Sequence, residues 1–139
     1  MNSSRATFPK NERLSHRRHI EILFQKGMSF VAYPLKVIYY PIVAGATLKV
    51  APTIAPNSSI SLLISIPKKK IKTAVDRNYI KRRIRESYRL RKYDLIHSVS
   101  EKDTKLLLAF IYMNDEKSSF KKIDRAITKV MHTLMKITE

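Results

Sequence analysis

A chain of 139 residues, 44% of them hydrophobic, is long enough to close one core and too short for two domains to be expected. It carries 28 Lys and Arg against 11 Asp and Glu, and this formal net charge of +17 predicts a polyanionic partner. The absence of Cys excludes disulfides, thiolate nucleophiles and sulfur-ligated zinc sites.

The total charge does not choose among nucleic acid, an anionic membrane and an acidic protein as the partner. A membrane span is not expected, because the longest apolar run, Leu106 to Met113, is less than half of the ~20 residues required. The polar N-terminus also lacks the apolar core of a signal peptide. We therefore expect a cytoplasmic protein.

The first half of the chain predicts a helix followed by a strand pair. Residues 1–12 are interpreted as a flexible N-terminal arm, and 13–139 as one domain. Within 15–26, Ile20, Leu23 and Phe24 recur at the spacing of one helical face, and Gly27 ends the helix. The β-branched and aromatic segment 30–43, interrupted by Pro34 and Pro41, predicts edge-type strands or a strand pair. Because side chains alternate along a strand, one face is predicted to carry Leu35, Val37 and Tyr39. The opposite face is predicted to carry Lys36, Ile38 and Tyr40.

The second half predicts a loop over 44–59, a strand over 60–66, a helix over 74–89 capped by Thr73, a buried strand over 105–113 and a helix over 119–138. An apolar stripe runs along the last helix through Phe120, Ile123, Ile127, Val130, Met131, Leu134 and Ile137. The expected fold is α+β, a mixed α/β sandwich. In it, three helices pack a sheet of about four strands, in the order α-β-β-β-α-β-α.

The positive charge is concentrated in one helix. Twelve of the 28 basic residues lie between Lys68 and Lys92, and Ile80 and Ile84 would anchor the helix to the sheet. Like charges one turn apart repel by a few tenths of a kcal/mol, so an array without a partner costs stability. A solvated basic face is the alternative interpretation. At ~100° per residue, an arc of roughly 140° collects Arg77, Asn78, Lys81, Arg82, Arg85, Arg89 and Lys92.

The segment Ala74 to Glu86 resembles a family signature. It matches every fixed position of Ala-Val-x-Arg-Asn-x-Ile-Lys-Arg-x-Ile-Arg, the Arg-Asn-Arg helix of the bacterial ribonuclease P protein subunit. The resemblance covers roughly 13–136, with Ile20 where many relatives carry an aromatic and Lys72 where Gly is common. Further similarities to the family are Arg13-Leu14 with Phe24 and Gly27 in the first helix, and Ser65-Ile66-Pro67-Lys68 at a strand end.

The resemblance implies a subunit of an RNA-based endoribonuclease. In that family a large RNA removes the 5′ leader from precursor tRNA, and the small basic protein assists it. Mg²⁺ is expected to be held mainly by the RNA, with no cofactor bound by the protein and no catalytic residue in it. The implied partners are the catalytic RNA and precursor tRNA, with no membrane and no obligate protein partner. The protein alone is expected to be inactive.

The resemblance implies two binding surfaces, one for the catalytic RNA and one for the leader of precursor tRNA. Which of the three lysines 68–70 takes each family position stays open. Contacts to the catalytic RNA are expected from Lys68, Lys69, Lys70, Arg77, Asn78, Lys81, Arg82, Arg85 and Arg89.

A cleft for the single-stranded leader is expected between the first helix and the sheet, using Phe24, Lys36, Ile38 and Tyr40. Bases stack on aromatic side chains whatever their sequence, as a processor of many precursors requires. Phe24 has a second interpretation as a core residue, and a register slip of one residue would exchange the faces of the tyrosines.

Three other classes of protein compete with this interpretation. A ribosomal or nucleoid-associated protein would use the same basic helix. A peripheral membrane protein would need more apolar surface than two Ile and a Tyr provide. A self-sufficient nuclease would need clustered carboxylates, and the 11 carboxylates are scattered along the sequence.

Overall fold

The computed structural model describes residues 12–43, 59–102 and 104–138. The elements are α1 (Arg17–Lys26), β1 (Met28–Ala32), β2 (Leu35–Val43), β3 (Ile60–Ser65), α2 (Ala74–Glu101), β4 (Thr104–Tyr112) and α3 (Phe120–Ile137). The predicted α+β class and element order are confirmed. Residues 1–11 of the predicted arm 1–12 and residues 44–58 of the predicted loop 44–59 lie outside the described residues.

The four strands form one sheet in the order β1-β2-β4-β3. Antiparallel pairing joins β1 to β2 and β2 to β4, whereas β3 runs parallel to β4. Because parallel neighbours need a long crossover, the chain between β3 and β4 has room for α2. This topology seats the basic helix against the sheet.

The two faces of the sheet carry separate apolar clusters. Leu35, Val37 and Tyr39 belong to the main core, which contains the buried side chains of α2 and α3. Ile38 belongs to a smaller core that includes Leu23 of α1. The predicted alternation along β2 is therefore confirmed, and α1 is the helix of the described residues that packs on the second face.

The helix α2 is longer than the 74–89 predicted from its pattern. Its buried side continues from Ile80 and Ile84 through Tyr88 to Leu95 and Val99, so packing extends the helix past the basic segment to residue 101. The predicted cap is confirmed, since Thr73 Oγ1 accepts a hydrogen bond from the Asp76 backbone N–H at 3.3 Å. No helix in the described ranges has the length and apolar character needed to cross a membrane.

The placement of Lys92 on the cationic arc is wrong. Its side chain is only 2% exposed, and its Nζ donates to Glu12 Oε1 at 2.6 Å. The two residues are 80 positions apart, so helical periodicity carries no sign that the N-terminal segment covers this turn of α2. The buried ion pair removes Lys92 from the surface that a polyanion would meet.

Candidate nucleic-acid interface

The exposed side of α2 brings together four of the residues predicted to contact RNA. Ile80 and Ile84 are fully buried and fix the rotation of the helix about its axis. A groove of about 420 Å³ lies on the opposite side. Its lining consists of Val75, Asn78, Lys81, Arg82 and Arg85. Three cations and an amide therefore converge on one surface, as contact with a phosphate backbone requires.

Arg77, also predicted to contact RNA, fastens the loop that precedes α2. Its guanidinium donates to the backbone carbonyls of Ile71 and Lys72, both at 2.9 Å. The Ile71 side chain is buried and packs in the main core, which attaches the loop to the domain. Arg77 therefore has a structural role that its place in the sequence motif does not reveal.

The three lysines of the predicted cluster occupy an exposed turn before that loop. The turn is closed by Pro67, whose carbonyl accepts from the backbone N–H of Lys70 at 3.0 Å and of Ile71 at 3.1 Å. Lys68 is exposed in this turn. Lys69 and Lys70 line a second groove of about 610 Å³, which also contains acidic residues of the β4–α3 loop. This mixture of charges distinguishes the lysine turn from the groove on α2, whose charged lining residues among those described are Lys81, Arg82 and Arg85.

Arg89, also predicted to contact RNA, lies on α2 and forms an ion pair with Glu86. Its Nε and one terminal nitrogen donate to Glu86 at 3.0 and 2.7 Å. The hydrogen bond raises the pKa of Arg89 and lowers that of Glu86. The i,i+3 spacing of the two residues was a signal in the sequence for this pairing. Glu86 thus offsets the charge that Arg89 presents to a polyanion.

Arg85 is a partly desolvated cation of the groove. Its Nε is buried and has no hydrogen-bond partner among the described residues. Burial and, secondarily, the nearby charge of Arg13 lower the pKa of Arg85. The sequence pattern of α2 gives no indication that Arg13 lies beside it.

The opposite flank of α2 holds a separate aromatic and cationic cluster. The Arg83 guanidinium carbon lies 3.7 Å from the centre of the Tyr79 ring, and Arg83 also donates to the Tyr79 hydroxyl. Lys117 lies 5.1 Å from the same ring and pairs with Asp76 at 3.3 Å. Arg83 is therefore held away from the groove, which agrees with its absence from the predicted arc.

Three of the four residues predicted for the leader cleft, Lys36, Ile38 and Tyr40, lie on the second face of the sheet. Phe24 on α1 is 47% exposed, so its interpretation as a core residue is wrong. Lys36 is exposed and Tyr40 is half-buried on the same face. Ile38 is only 8% exposed and packs with Leu23 of α1 in the smaller core, so it lies under the surface formed by its neighbours.

The described ranges contain no group of three or more His, Asp or Glu side chains placed to hold a metal ion. Among the described residues, α2 presents a basic groove, whereas Tyr40 and Ile38 lie on the face of the sheet opposite the one that α2 covers.

Residues 8–135 match the family model for ribonuclease P. The chain belongs to the ribonuclease P protein family. The ribonuclease P protein component of Porphyromonas gingivalis strain W83 is 38% identical over 120 residues, which cover 86% of this chain and 80% of the relative. That of strain ATCC 33277 is 37% identical over 129 residues, which cover 91% and 87%.

A solved structure of the ribonuclease P protein from Staphylococcus aureus has the same fold, with a TM-score of 0.62 at 21% identity. The match covers 88% of this chain and 94% of that chain. The resemblance found in the α2 signature is thereby confirmed. Membership of the ribonuclease P protein family makes the chain a protein component of a bacterial tRNA-processing ribonucleoprotein.

Proposed function

We propose that this chain binds the catalytic RNA of ribonuclease P through α2 and assists the Mg²⁺-dependent removal of the 5′ leader from precursor tRNA. The observation that carries the proposal is the convergence of Asn78, Lys81, Arg82 and Arg85 on one groove, opposite the buried isoleucines of the same helix. An arrangement of like charges that costs folding energy is explained by a partner that neutralises it.

The basic groove acts by electrostatics and by hydrogen bonding. Arginine donates to two phosphate oxygens at once, and the Asn78 amide can donate to a phosphate or to a ribose hydroxyl. Neutralising the RNA backbone weakens the repulsion between the catalytic RNA and its precursor, which favours docking of the substrate. Mg²⁺ would be held mainly by the RNA, and the protein alone would be inactive.

The leader of the precursor would lie on the second face of the sheet. In this proposal Phe24 and Tyr40 would supply aromatic surface, Lys36 a charge for the backbone, and Ile38 the floor. It is supported by the exposure of Phe24 on α1 and by the packing of Ile38 and Tyr40 in the smaller core. Stacking contributes ~1–3 kcal/mol per base and does not depend on base identity. The cleft therefore suits a substrate whose leaders differ in sequence.

The test is cleavage of a precursor tRNA at low Mg²⁺ by a bacterial ribonuclease P RNA, with and without the protein, alongside the protein alone. We expect stimulation only when RNA and protein are both present. Tight RNA binding without stimulation would contradict the proposal and favour a ribosomal or nucleoid role. Cleavage by the protein alone would instead indicate a nuclease. The cytoplasmic location stays a prediction.

A further inference from the structure

The last helix, α3, carries a second array of positive charge on its exposed side. It contains five cations and one carboxylate, and all five cations are exposed. At ~100° and about 1.5 Å per residue, the cations fall within an arc of about 100° and extend over about 22 Å. This cationic stripe consists of Lys121, Lys122, Arg125, Lys129 and Lys136.

The charges of the cationic stripe are not neutralised by carboxylates of the described residues. Asp124, the one carboxylate of the helix, lies outside the arc and pairs with Arg91 of α2 at 2.5 Å. The ion pairs formed among the described residues do not include a member of the stripe. Cations three and four positions apart on a helix repel one another, so a polyanion that covers the stripe would stabilise this arrangement.

The cationic stripe is separated from the groove on α2 by the width of α2 itself. Arg91 follows Arg82 by nine positions, a rotation of about 180° on the helix. Because Arg91 contacts α3 and Arg82 lines the groove, α3 lies on the side of α2 opposite the groove. A helix with its side chains is about 10 Å across, so one phosphate cannot contact both surfaces.

An exposed aromatic side chain lies at the N-terminal end of the stripe. Tyr33, in the turn between β1 and β2, is 54% exposed, and the Lys122 Nζ lies 5.9 Å from the centre of its ring. Proteins that bind single-stranded nucleic acid combine cations for the backbone with aromatic rings on which the bases stack. This end of the stripe therefore suits one unpaired base.

An anionic membrane offers similar charge but fits α3 less well than RNA does. A helix that lies in the lipid interface inserts its apolar face. In α3 that face is packed in the core, where Ile127, Val130 and Leu134 are fully buried, and the exposed large hydrophobic residue is Ile137 at its end. Phosphates with an unpaired base match the cations and Tyr33 without any insertion.

We propose that the cationic stripe binds the phosphate backbone of a second RNA segment, and that Tyr33 stacks on an unpaired base of that segment. The proposal rests on the proposed function, because the ligand is RNA of the same ribonucleoprotein. Two sources present this phosphate chemistry, the catalytic RNA and the body of the precursor tRNA. With RNA also bound in the groove on α2, the protein joins two RNA segments and fixes their relative position.

The first experiment uses a stripe variant, Lys121→Ala/Arg125→Ala/Lys129→Ala. Two affinities are measured as a function of salt, that of the protein for a bacterial ribonuclease P RNA and that of the assembled ribonucleoprotein for mature tRNA. Three phosphate contacts predict a slope of log K against log salt that is flatter by ~2.1–2.7, and an affinity roughly 100-fold lower at 0.1 M salt. A loss with the catalytic RNA identifies it as the source of the segment, and a loss with mature tRNA alone identifies the tRNA body.

A control variant loses the same charge from exposed sites on α1 and at the end of α2, and it is Arg18→Ala/Lys26→Ala/Lys102→Ala. Mature tRNA lacks the leader, so the leader cleft beside α1 does not contribute to this comparison. Exposed charges more than about 8 Å from the RNA are screened at physiological salt, so the control should keep the parent slope. Equal slopes for the stripe variant and the control with both RNAs would overturn the proposal. Thermal melts verify folding, and the stripe variant should melt at or above the Tm of the parent because Ala favours helix and repulsion is removed.

The stacking role of Tyr33 has a test of its own. Tyr33→Leu should weaken binding of the same RNA by about tenfold without changing the salt slope, because stacking neutralises no phosphate. Tyr33→Phe keeps the ring and should bind like the parent. No loss for Tyr33→Leu, or an equal loss for Tyr33→Phe, would overturn this role.

Vesicles of phosphatidylcholine and phosphatidylserine test the membrane alternative. If the parent bound them and the stripe variant did not, while the salt slopes with both RNAs stayed at the parent value, the stripe would be a lipid surface and the proposal would be overturned. Cleavage stimulated by the unaltered protein would leave the proposed function standing in every such case. Failure of the unaltered protein to bind the catalytic RNA would overturn both.

Discussion

Asp124 joins α3 to α2, and its replacement tests how the two helices are held together. The carboxylate accepts from Arg91 Nε at 3.0 Å and from an Arg91 terminal nitrogen at 2.5 Å. It also accepts from the Ser87 hydroxyl at 2.6 Å. Asp124→Ala removes all three contacts at once.

The cost of this change follows from the burial of the partners. Ser87 is fully buried, and a buried hydroxyl left without its acceptor costs ~1–3 kcal/mol. The side chains of Arg91 and Asp124 are 37% and 23% exposed, so solvent limits their ion pair to ~0.5–1 kcal/mol. Together these predict a loss of ~1.5–4 kcal/mol, or a fall in Tm of roughly 5–15 °C for a chain of this size.

Thermal melts at several pH values measure this loss and its origin. Hydrogen bonds from Arg91, and then Ser87, lower the pKa of Asp124 in the folded state. Its contribution is therefore complete above the unfolded carboxyl pKa of ~3.9 and is lost as the pH falls through the folded value. The difference in Tm between the parent and Asp124→Ala should shrink below about pH 4.

Asp94→Ala is the control for these melts, because Asp94 is an exposed carboxylate on α2, and it should change stability by less than ~0.5 kcal/mol. The reasoning would be refuted if Asp124→Ala melted with Asp94→Ala at neutral pH. A Tm difference that stayed constant through the acid range would refute the electrostatic part alone.

Four further outcomes are expected. Arg82→Ala should flatten the salt slope of RNA binding by ~0.7–0.9 and leave Tm within a few degrees of the parent; an unchanged slope would remove it from the interface. Ile84→Asp places a charge in the core and should cost at least ~4 kcal/mol, so a melt like that of the parent would contradict its buried position. Arg77→Ala frees the Ile71 and Lys72 carbonyls and should speed proteolysis at residues 67–73; cleavage there at the parent rate would show that the clamp is dispensable. Phe24→Ala should weaken binding of precursor tRNA by ~1–3 kcal/mol more than binding of mature tRNA, as measured with the assembled ribonucleoprotein, and equal losses would exclude stacking on the leader.

The sequence by itself determined the elements and their sidedness. Helix signals such as the Thr73 cap and the spacing of Ile80 and Ile84 are local, since they depend on residues within one or two turns. The alternation along β2 is local in the same sense. Pattern reading therefore found the α+β order, the basic side of α2 and the family signature, although it ended α2 early because packing extends that helix beyond its basic segment.

The tertiary structure alone decided which cations meet a partner and which are already engaged. Lys92 is buried against Glu12, Arg13 lies beside Arg85, and Asp124 forms an ion pair with Arg91. Each of these contacts joins residues far apart in the chain, and helical periodicity describes only neighbours within a few turns. Electrostatic interactions depend on distance in space, which folding sets. The final arrangement of the basic surface therefore depends on the tertiary structure and not on the sequence motif alone.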